Sequence, residues 1–465
     1  MKQLRTIAVL PLGRPTFDVA YAEEQLAAML DALHATGKTL IGPQHLLMDG
    51  EAAETALDAL ENEAPDLVMI LQVTFTDAAV TARIAERCAQ PLALWAVPEP
   101  RLGGRLRLNA FCGLNLASHA LGLRRRGFSW LYADPAHADI ADKLAGLISG
   151  DNQVTPIQGE RSTADPAKGA AVLERLAGGR IGRIGAHPDG FDTCRYDPVA
   201  LKALTAIEVE ELSLKTLFDT ARETPDDRAA DLRVEAAKEL AGLEAVDQGE
   251  LEKSLKLKAA IEVIRSQGRF DAFAIRCWPE SFTEYGGAVC GPVSIMGEER
   301  VPCACEADVY GAATQLLLQA VAGAPVFLTD LVDMDVDDDT GVVWHCGQAP
   351  ISMADPDSVA EATVHSNRRM PLLYQFPLRP GRVTLLRLSQ AFGRHKLVVA
   401  AGDMLRRPMA FTGTSGVLRF DRPVADTLPD LVNCGLEHHM ALAYGDHVET
   451  LFSLAARLEL PVVRL

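Results

Sequence analysis

Leu67-Val68-Met69-Ile70-Leu71-Gln72-Val73 is an apolar run broken by a single glutamine, and it gives way to Thr74-Phe75-Thr76. A run of this length without polar alternation suits a strand covered on both faces, as in a parallel sheet. A helical stretch follows from Asp77. The same alternation extends on either side. Residues 7–12 are apolar and β-branched, and residues 22–35 carry Leu26, Met29, Leu30 and Leu33 at helical spacing. Residues 91–97 and 129–132 are further strand candidates. Buried strands separated by helices specify an α/β unit over residues 1–150. In such sheets ligands bind beyond the carboxyl ends of strands. Residues 72–76 and the Pro/Gly-rich 98–104 are therefore expected to rim a cleft.

A second α/β unit begins near Asn152. Residues 180–186 read as a strand, followed by the loop Gly185-Ala186-His187-Pro188-Asp189-Gly190-Phe191. Residues 201–267 are charged and helix-favouring, with an interruption at Pro225-Asp226-Asp227. A strand at 270–276 runs into Cys277-Trp278-Pro279-Glu280. A helix is expected from Glu306 to Val321, with Val309, Ala313, Leu316, Leu317 and Ala320 on one face and Gly323 and Pro325 as stops. A strand at 325–329 then ends at Asp330. Beyond it the texture changes to short strands at 342–345, 383–388, 396–400 and 417–420, separated by Gly, Pro and Asp clusters. A helix at 448–458 and a strand at 461–465 close the chain. At about 150 residues per domain, 465 residues make about three domains. The fold class expected is α/β, with two Rossmann-like α/β domains followed by a β-rich C-terminal domain. Residues 151–322 form the second domain, carrying Glu306, and 323–465 the third, carrying Asp330 and His439.

The formal net charge of −18 sets the chain against a polyanionic partner, so no nucleic acid is expected. The dense basic run, Arg124–Arg126, reads as a solvated helix end. Met1–Arg5 leads directly into the first strand without a small-residue cleavage site, which argues against a signal peptide. No stretch of about 18 apolar residues is present, so no membrane span is expected. Nine scattered cysteines, an odd number, suit reduced thiols in the cytoplasm. Cys303-x-Cys305 lacks a second pair at metal spacing and reads as structural.

Three places carry residue types that ligate an oxophilic metal. Glu306 follows Cys303-Ala304-Cys305, Asp330 lies 24 residues later, and His438-His439 precedes the last strand-like run. On spacing alone each has a plainer account: a helix-dipole carboxylate, the start of a solvated acidic run, and a structural histidine pair. A calcium loop is excluded because its glycine and terminal glutamate are missing.

The stretch Glu306-Ala307-Asp308-Val309-Tyr310-Gly311-Ala312-Ala313 resembles the metal-glutamate segment of L-fucose isomerases. Val326-Phe327-Leu328-Thr329-Asp330 is similar to the strand that carries their metal aspartate, at matching spacing. Asn433-Cys434-Gly435-Leu436-Glu437-His438-His439 resembles the histidine segment shared with L-arabinose isomerases, and Ala443-Tyr444-Gly445-Asp446-His447 continues it. Residues 71–76, 95–99 and 109–113 add to a diffuse likeness over the whole chain. The resemblance to the L-fucose/L-arabinose isomerase superfamily implies a metal-dependent aldose–ketose isomerase. It makes Glu306, Asp330 and His439 metal ligands, and Glu306 and Asp330 the acid and base in either order. His345, in Trp344-His345-Cys346-Gly347, departs from the fucose isomerase pattern and is a candidate fourth ligand. Carboxylates with an imidazole suit Mn²⁺, with Mg²⁺ or Co²⁺ as alternatives.

Arg14, Asp18, Trp278, Asn433 and His187 are the candidate monosaccharide contacts. The superfamily's N-terminal domain serves a neighbouring subunit, which implies a homo-oligomer, trimeric or hexameric, with sites near subunit interfaces. The reaction would move a proton between C1 and C2 through a cis-enediol(ate). Three other readings compete. One is an isomerase of an anionic hexose such as sulfoquinovose, held by Arg14, Arg101, Arg105, Arg107 or Arg276. The others are a non-catalytic sugar-binding protein and a zinc hydrolase using Cys303 and Cys305.

Overall fold

The computed structural model describes residues 5–465; Met1–Leu4, part of the lead-in read above, lie outside the described residues. The first unit is a five-stranded parallel sheet in the order Thr39–Ile41, Thr6–Leu12, Leu67–Gln72, Leu92–Ala96, Ser129–Tyr132. The Leu67–Gln72 strand is buried along its whole length, because helices cover both faces of the sheet. The second unit is a four-stranded parallel sheet in the order Cys303–Ala304, Ala272–Ile275, Arg180–Ile184, Glu208–Leu212. Its edge strand, Glu-Val-Glu-Glu-Leu, falls inside the run read as helical. It is mostly exposed, so no hydrophobic alternation marks it.

The third unit is β-rich. Ten strands form one sheet, and within it six close on themselves. Their order is Thr414–Phe420, Thr340–His345, Phe327–Asp335, His439–Tyr444, Gly381–Ser389 and Lys396–Leu405, the last pairing back with the first. Every pairing in this ring is antiparallel, so it is a small barrel with no free edge there. The chain enters this sheet early: Glu160–Arg161 pairs with Pro461–Arg464 before the second parallel sheet begins. Among the described residues no helix is long and apolar enough to cross a membrane.

Two local expectations change. Glu306 does not open a helix. It sits in a short turn, Cys305–Ala307, with φ 58° and ψ 24°. The helix is Val309–Ala322, and Asp308 caps it by accepting the Gly311 N–H at 2.8 Å. The aspartate two residues on does the capping, leaving the glutamate side chain free for other work. Asp330 does not end its strand either; Phe327–Asp335 runs through it, with a bulge between Leu331 and Asp333. The acidic run beyond is only partly solvated, because Asp333 is buried against Arg101 at 2.5 Å.

Candidate functional site

Asp330 lies directly opposite His439 in the ladder between Phe327–Asp335 and His439–Tyr444. Facing residues of an antiparallel pair share one side of the sheet, so register alone brings carboxylate and imidazole together. His439 Nε2 stands 3.6 Å from Asp330 Oδ1 and 3.7 Å from Glu306 Oε2. Its other nitrogen, Nδ1, lies 3.0 Å from Asp308 Oδ2. An ionised carboxylate only accepts, so Nδ1 carries the proton and Nε2 presents its lone pair between Asp330 and Glu306. This carboxylate–histidine arrangement is the one that orients metal-ligating histidines.

Asp308 is itself anchored. It takes two hydrogen bonds from Arg387, at 2.6 and 3.2 Å, and both side chains are buried. Glu437 stands 3.8 Å from the same guanidinium. Burial alone would raise the Asp308 carboxyl; the Arg387 charge and His439 outweigh it and hold it well below the usual range.

Glu306 uses both oxygens. Oε2 pairs with His438 Nε2 at 2.8 Å, and Oε1 accepts the Trp278 indole N–H at 3.1 Å. Burial pushes this carboxyl up, but the His438 hydrogen bond and charge outweigh it and bring it down to about 2. Asp330 Oδ1 is buried and has no hydrogen-bond partner among the described residues. An orphaned carboxylate oxygen beside an imidazole lone pair is unfavourable alone and is what a cation relieves. Asp330, His345 and His439 can each offer an atom within 4.8 Å of the others, and Glu306, His438 and His439 do so in an overlapping group that includes Cys194. The donor set fits a divalent cation. His345 stacks on His439 with centroids 5.6 Å apart, and its buried Nε2 has no partner. Its Nδ1 accepts the Cys346 N–H at 2.9 Å, which leaves the ring proton on Nε2. Ligation through that nitrogen requires the hydrogen bond to break.

Glu306, Asp330, His345 and His438 open on one cavity, and His439 lies behind them. Arg14, Phe17, Trp278, Glu306, Asp330 and His345 are among its walls. Residues 8–155 match the family described as Fucose/sulfoquinovose isomerase, N-terminal domain, and residues 343–465 match L-fucose isomerase, C-terminal domain. Relatives from Priestia aryabhattai and Priestia megaterium, both described as sulfoquinovose isomerase, are each 31% identical over 460 residues, covering 98% of this chain and 98% of the relative. A third so described, from Alkalicoccus urumqiensis, is 29% identical over 461 residues and 99% of each chain. This chain belongs to the L-fucose isomerase-like superfamily.

It is an aldose–ketose isomerase, as these relatives imply. Fucose isomerase-type enzymes generally use a metal, and the cluster around His439 offers groups able to hold one. Of the residues read as sugar contacts, Arg14 and Trp278 line the cavity. The other three do not line it. Asp18 caps the helix Val19–Ala35 and pairs with Arg107 at 2.9 Å. Asn433 ends the helix Val424–Asn433 and accepts the Thr155 N–H at 3.0 Å. His187 follows the strand Arg180–Ile184, and its carbonyl lies 3.4 Å from Arg276 Nη1. A family likeness for Asp18, and closeness in the chain to a motif or strand end for Asn433 and His187, do not fix where a side chain points. The thiols read as a zinc pair have protein partners: Cys303 Sγ donates to the Val301 carbonyl and Cys305 Sγ to Gln348.

Sequence reasoning named the His438-His439 pair but gave His438 no role of its own, and it missed Asp308 and Arg387 as parts of the site. Arg387 carried a usable signal, being a charge set among leucines in Leu385-Leu386-Arg387-Leu388 of the strand Gly381–Ser389, where burial demands a partner. The segment 365–368, which also lines the cavity, carried none.

Proposed function

We propose that this chain interconverts a sulfonated aldohexose, sulfoquinovose, with its ketose, using Mn²⁺ held by Glu306, Asp330 and His439. The observation that carries the metal reading is the meeting of the His439 Nε2 lone pair with the orphaned Asp330 Oδ1 and with Glu306 Oε2, the two carboxylates lining the cavity. The substrate reading draws support from relatives described as sulfoquinovose isomerases that align over nearly the whole chain. The C-terminal match to L-fucose isomerase supports a neutral aldose as the second reading.

A bound divalent cation polarises a carbonyl and stabilises the negative charge that develops on it. The chain's own groups do the rest. Glu306, held ionised at about 2 by His438, is a firm ligand and a weak base. Asp330, with Oδ1 toward the metal, would then carry a proton between C1 and C2 on its other oxygen, with the enediol as the intermediate. His345 Nε2–H is placed to donate to a sugar oxygen. Asp308 keeps His439 in the tautomer the site needs. The cytoplasm and a homotrimer or homohexamer belong to the same proposal, and light scattering in solution measures the assembly.

The experiment is a sugar panel of sulfoquinovose, L-fucose and L-arabinose with metal-free enzyme, before and after Mn²⁺ is restored, read as ketose formed. Metal-dependent ketose from sulfoquinovose supports the proposal. Turnover that survives removal of the metal ends the metal reading, and preference for a neutral sugar ends the sulfonate reading.

A further inference from the structure

Trp278 links the two ends of the cavity. Its N–H touches Glu306, and its ring is flanked by two guanidiniums: Arg14 Cζ lies 5.3 Å and Arg368 Cζ 5.9 Å from the ring centre. Both arginines line the cavity, with Thr16 and Asn367 beside them. The two differ in how they are satisfied. Arg14 is paired with Asp77 at 3.0 Å. Arg368 has no carboxylate partner among the described residues; its side chain's ring contact is with Trp278.

The segment carrying Arg368 is built, not loose. His365 Nδ1 accepts the N–H groups of Asn367 and Arg368 at 3.2 and 3.3 Å. The His365 N–H donates to the Met370 carbonyl, and the His365 carbonyl accepts the Arg369 N–H at 2.7 Å. Arg105 donates to Asn367 Oδ1 at 3.1 Å, which ties the turn to the N-terminal unit. Burial and the Arg14 charge push the Arg368 guanidinium down, yet arginine starts high enough to stay charged at neutral pH. A half-buried cation beside a second cation is costly without an anion. The chain carries 63 acidic residues against 45 basic ones, so a neutralising carboxylate was available in quantity and none is placed there. The other arginines read as sulfonate donors are engaged elsewhere. Arg101 is held by Asp333, Arg107 by Asp18, Arg276 by Glu280, and Arg105 by the Thr16 carbonyl and Asn367.

We infer that Arg368, with Arg14 against the same Trp278 ring, forms the subsite that holds the sulfonate of the substrate. This rests on the sulfonated-hexose reading above and adds the residue that selects for it. An open-chain hexose has five C–C bonds of about 1.5 Å and spans about 6 Å from C1 to C6. With C1 and C2 at Glu306 and Asp330, the C6 substituent falls beyond the indole, where the guanidiniums stand. A planar guanidinium donates two parallel N–H groups to a tetrahedral oxyanion, which an ammonium cannot copy. The same pair also overcomes, locally, the repulsion that a net charge of −18 imposes on an anionic substrate.

The test compares kcat/KM for sulfoquinovose, glucose 6-phosphate and glucose in the Mn²⁺-loaded wild type, Arg368→Gln, Arg368→Lys and, as a control away from the cavity, Arg276→Gln. Arg368→Gln is expected to lower the ratio of sulfoquinovose to glucose by roughly 30- to 150-fold, mainly through KM. Arg368→Lys recovers part of that ratio, and Arg276→Gln does not change it. Ethanesulfonate is expected to inhibit the wild type competitively and to lose that effect in Arg368→Gln, a readout that a merely structural role would not move. A wild type selective for sulfoquinovose whose selectivity survives Arg368→Gln overturns the assignment and leaves the substrate reading intact. A wild type that isomerises only neutral sugars overturns both. Preference for glucose 6-phosphate assigns the subsite to phosphate and overturns the sulfonate.

Discussion

Asp308→Asn separates the tautomer account of the site from a simple count of ligands. In the wild type Asp308 Oδ1 accepts from Gly311 N–H and Arg387, while Oδ2 accepts from Arg387 and faces His439 Nδ1. Asparagine keeps the first oxygen and so keeps the helix cap. Its amide nitrogen replaces the second, meeting Arg387 donor to donor and offering a hydrogen to His439 Nδ1. The imidazole proton then moves to Nε2, and the lone pair facing Asp330 is lost. Two effects of different size follow. Removing the charge partner of a fully buried arginine costs about 3–5 kcal/mol, less whatever Glu437 recovers at 3.8 Å. Loss of the orienting carboxylate lowers metal affinity by about 10- to 100-fold. Thermal or denaturant unfolding of the metal-free protein measures the first, and titration of Mn²⁺ into it measures the second. The pH dependence is set by the direction of the shift. The folded carboxyl lies below its ordinary value, so its contribution is complete above that value and is lost as the pH falls from it through the lower folded value. The stability gap between wild type and Asp308→Asn should be flat near neutrality and close below about pH 4. A variant that binds Mn²⁺ as tightly as the wild type would refute the tautomer argument, whatever its stability.

Asp330→Asn should keep measurable Mn²⁺ binding while kcat falls by about 100-fold or more, as expected for a proton-transfer group; near-normal kcat in ketose assays would remove Asp330 from that role. His345→Gln distinguishes donor from ligand: as a donor its loss lowers turnover with little change in Mn²⁺ affinity, whereas a drop of about tenfold or more in affinity makes it a ligand. Asp333→Asn should destabilise the fold by about 3 kcal/mol, because it unpairs Arg101 in a buried setting, and denaturant midpoints measure it. Replacing Cys303 and Cys305 together by alanine should leave metal content and turnover in place, and loss of bound metal in that variant would revive the zinc-thiolate reading.

Much of the fold was written in local pattern. Leu67–Gln72 and its neighbours are buried on both faces, so they are uniformly apolar and mark a parallel sheet without any partner being known. The strand Glu208–Leu212 was not legible, because an exposed edge needs no apolar residues and four of its positions suit a helix equally. At the site, the carboxylates and histidine stood out through a resemblance carried by short motifs. The plainer accounts of Glu306 and Asp330 failed for a structural reason: Asp308 takes the helix cap, and Asp330 lies inside a strand.

By itself the sequence determined four of the five strands of the first parallel sheet, the change to β-rich texture near residue 330, and the residue types available for a metal. Tertiary structure alone decided that Asp330 and His439 face each other across a ladder, that Arg387 and Asp308 set the imidazole's proton, and that Arg368 has no carboxylate partner among the described residues. Local pattern records burial, which acts on each residue separately. Register, tautomer and unpaired charge depend on what lies across a gap of a few ångströms, between residues far apart in the chain.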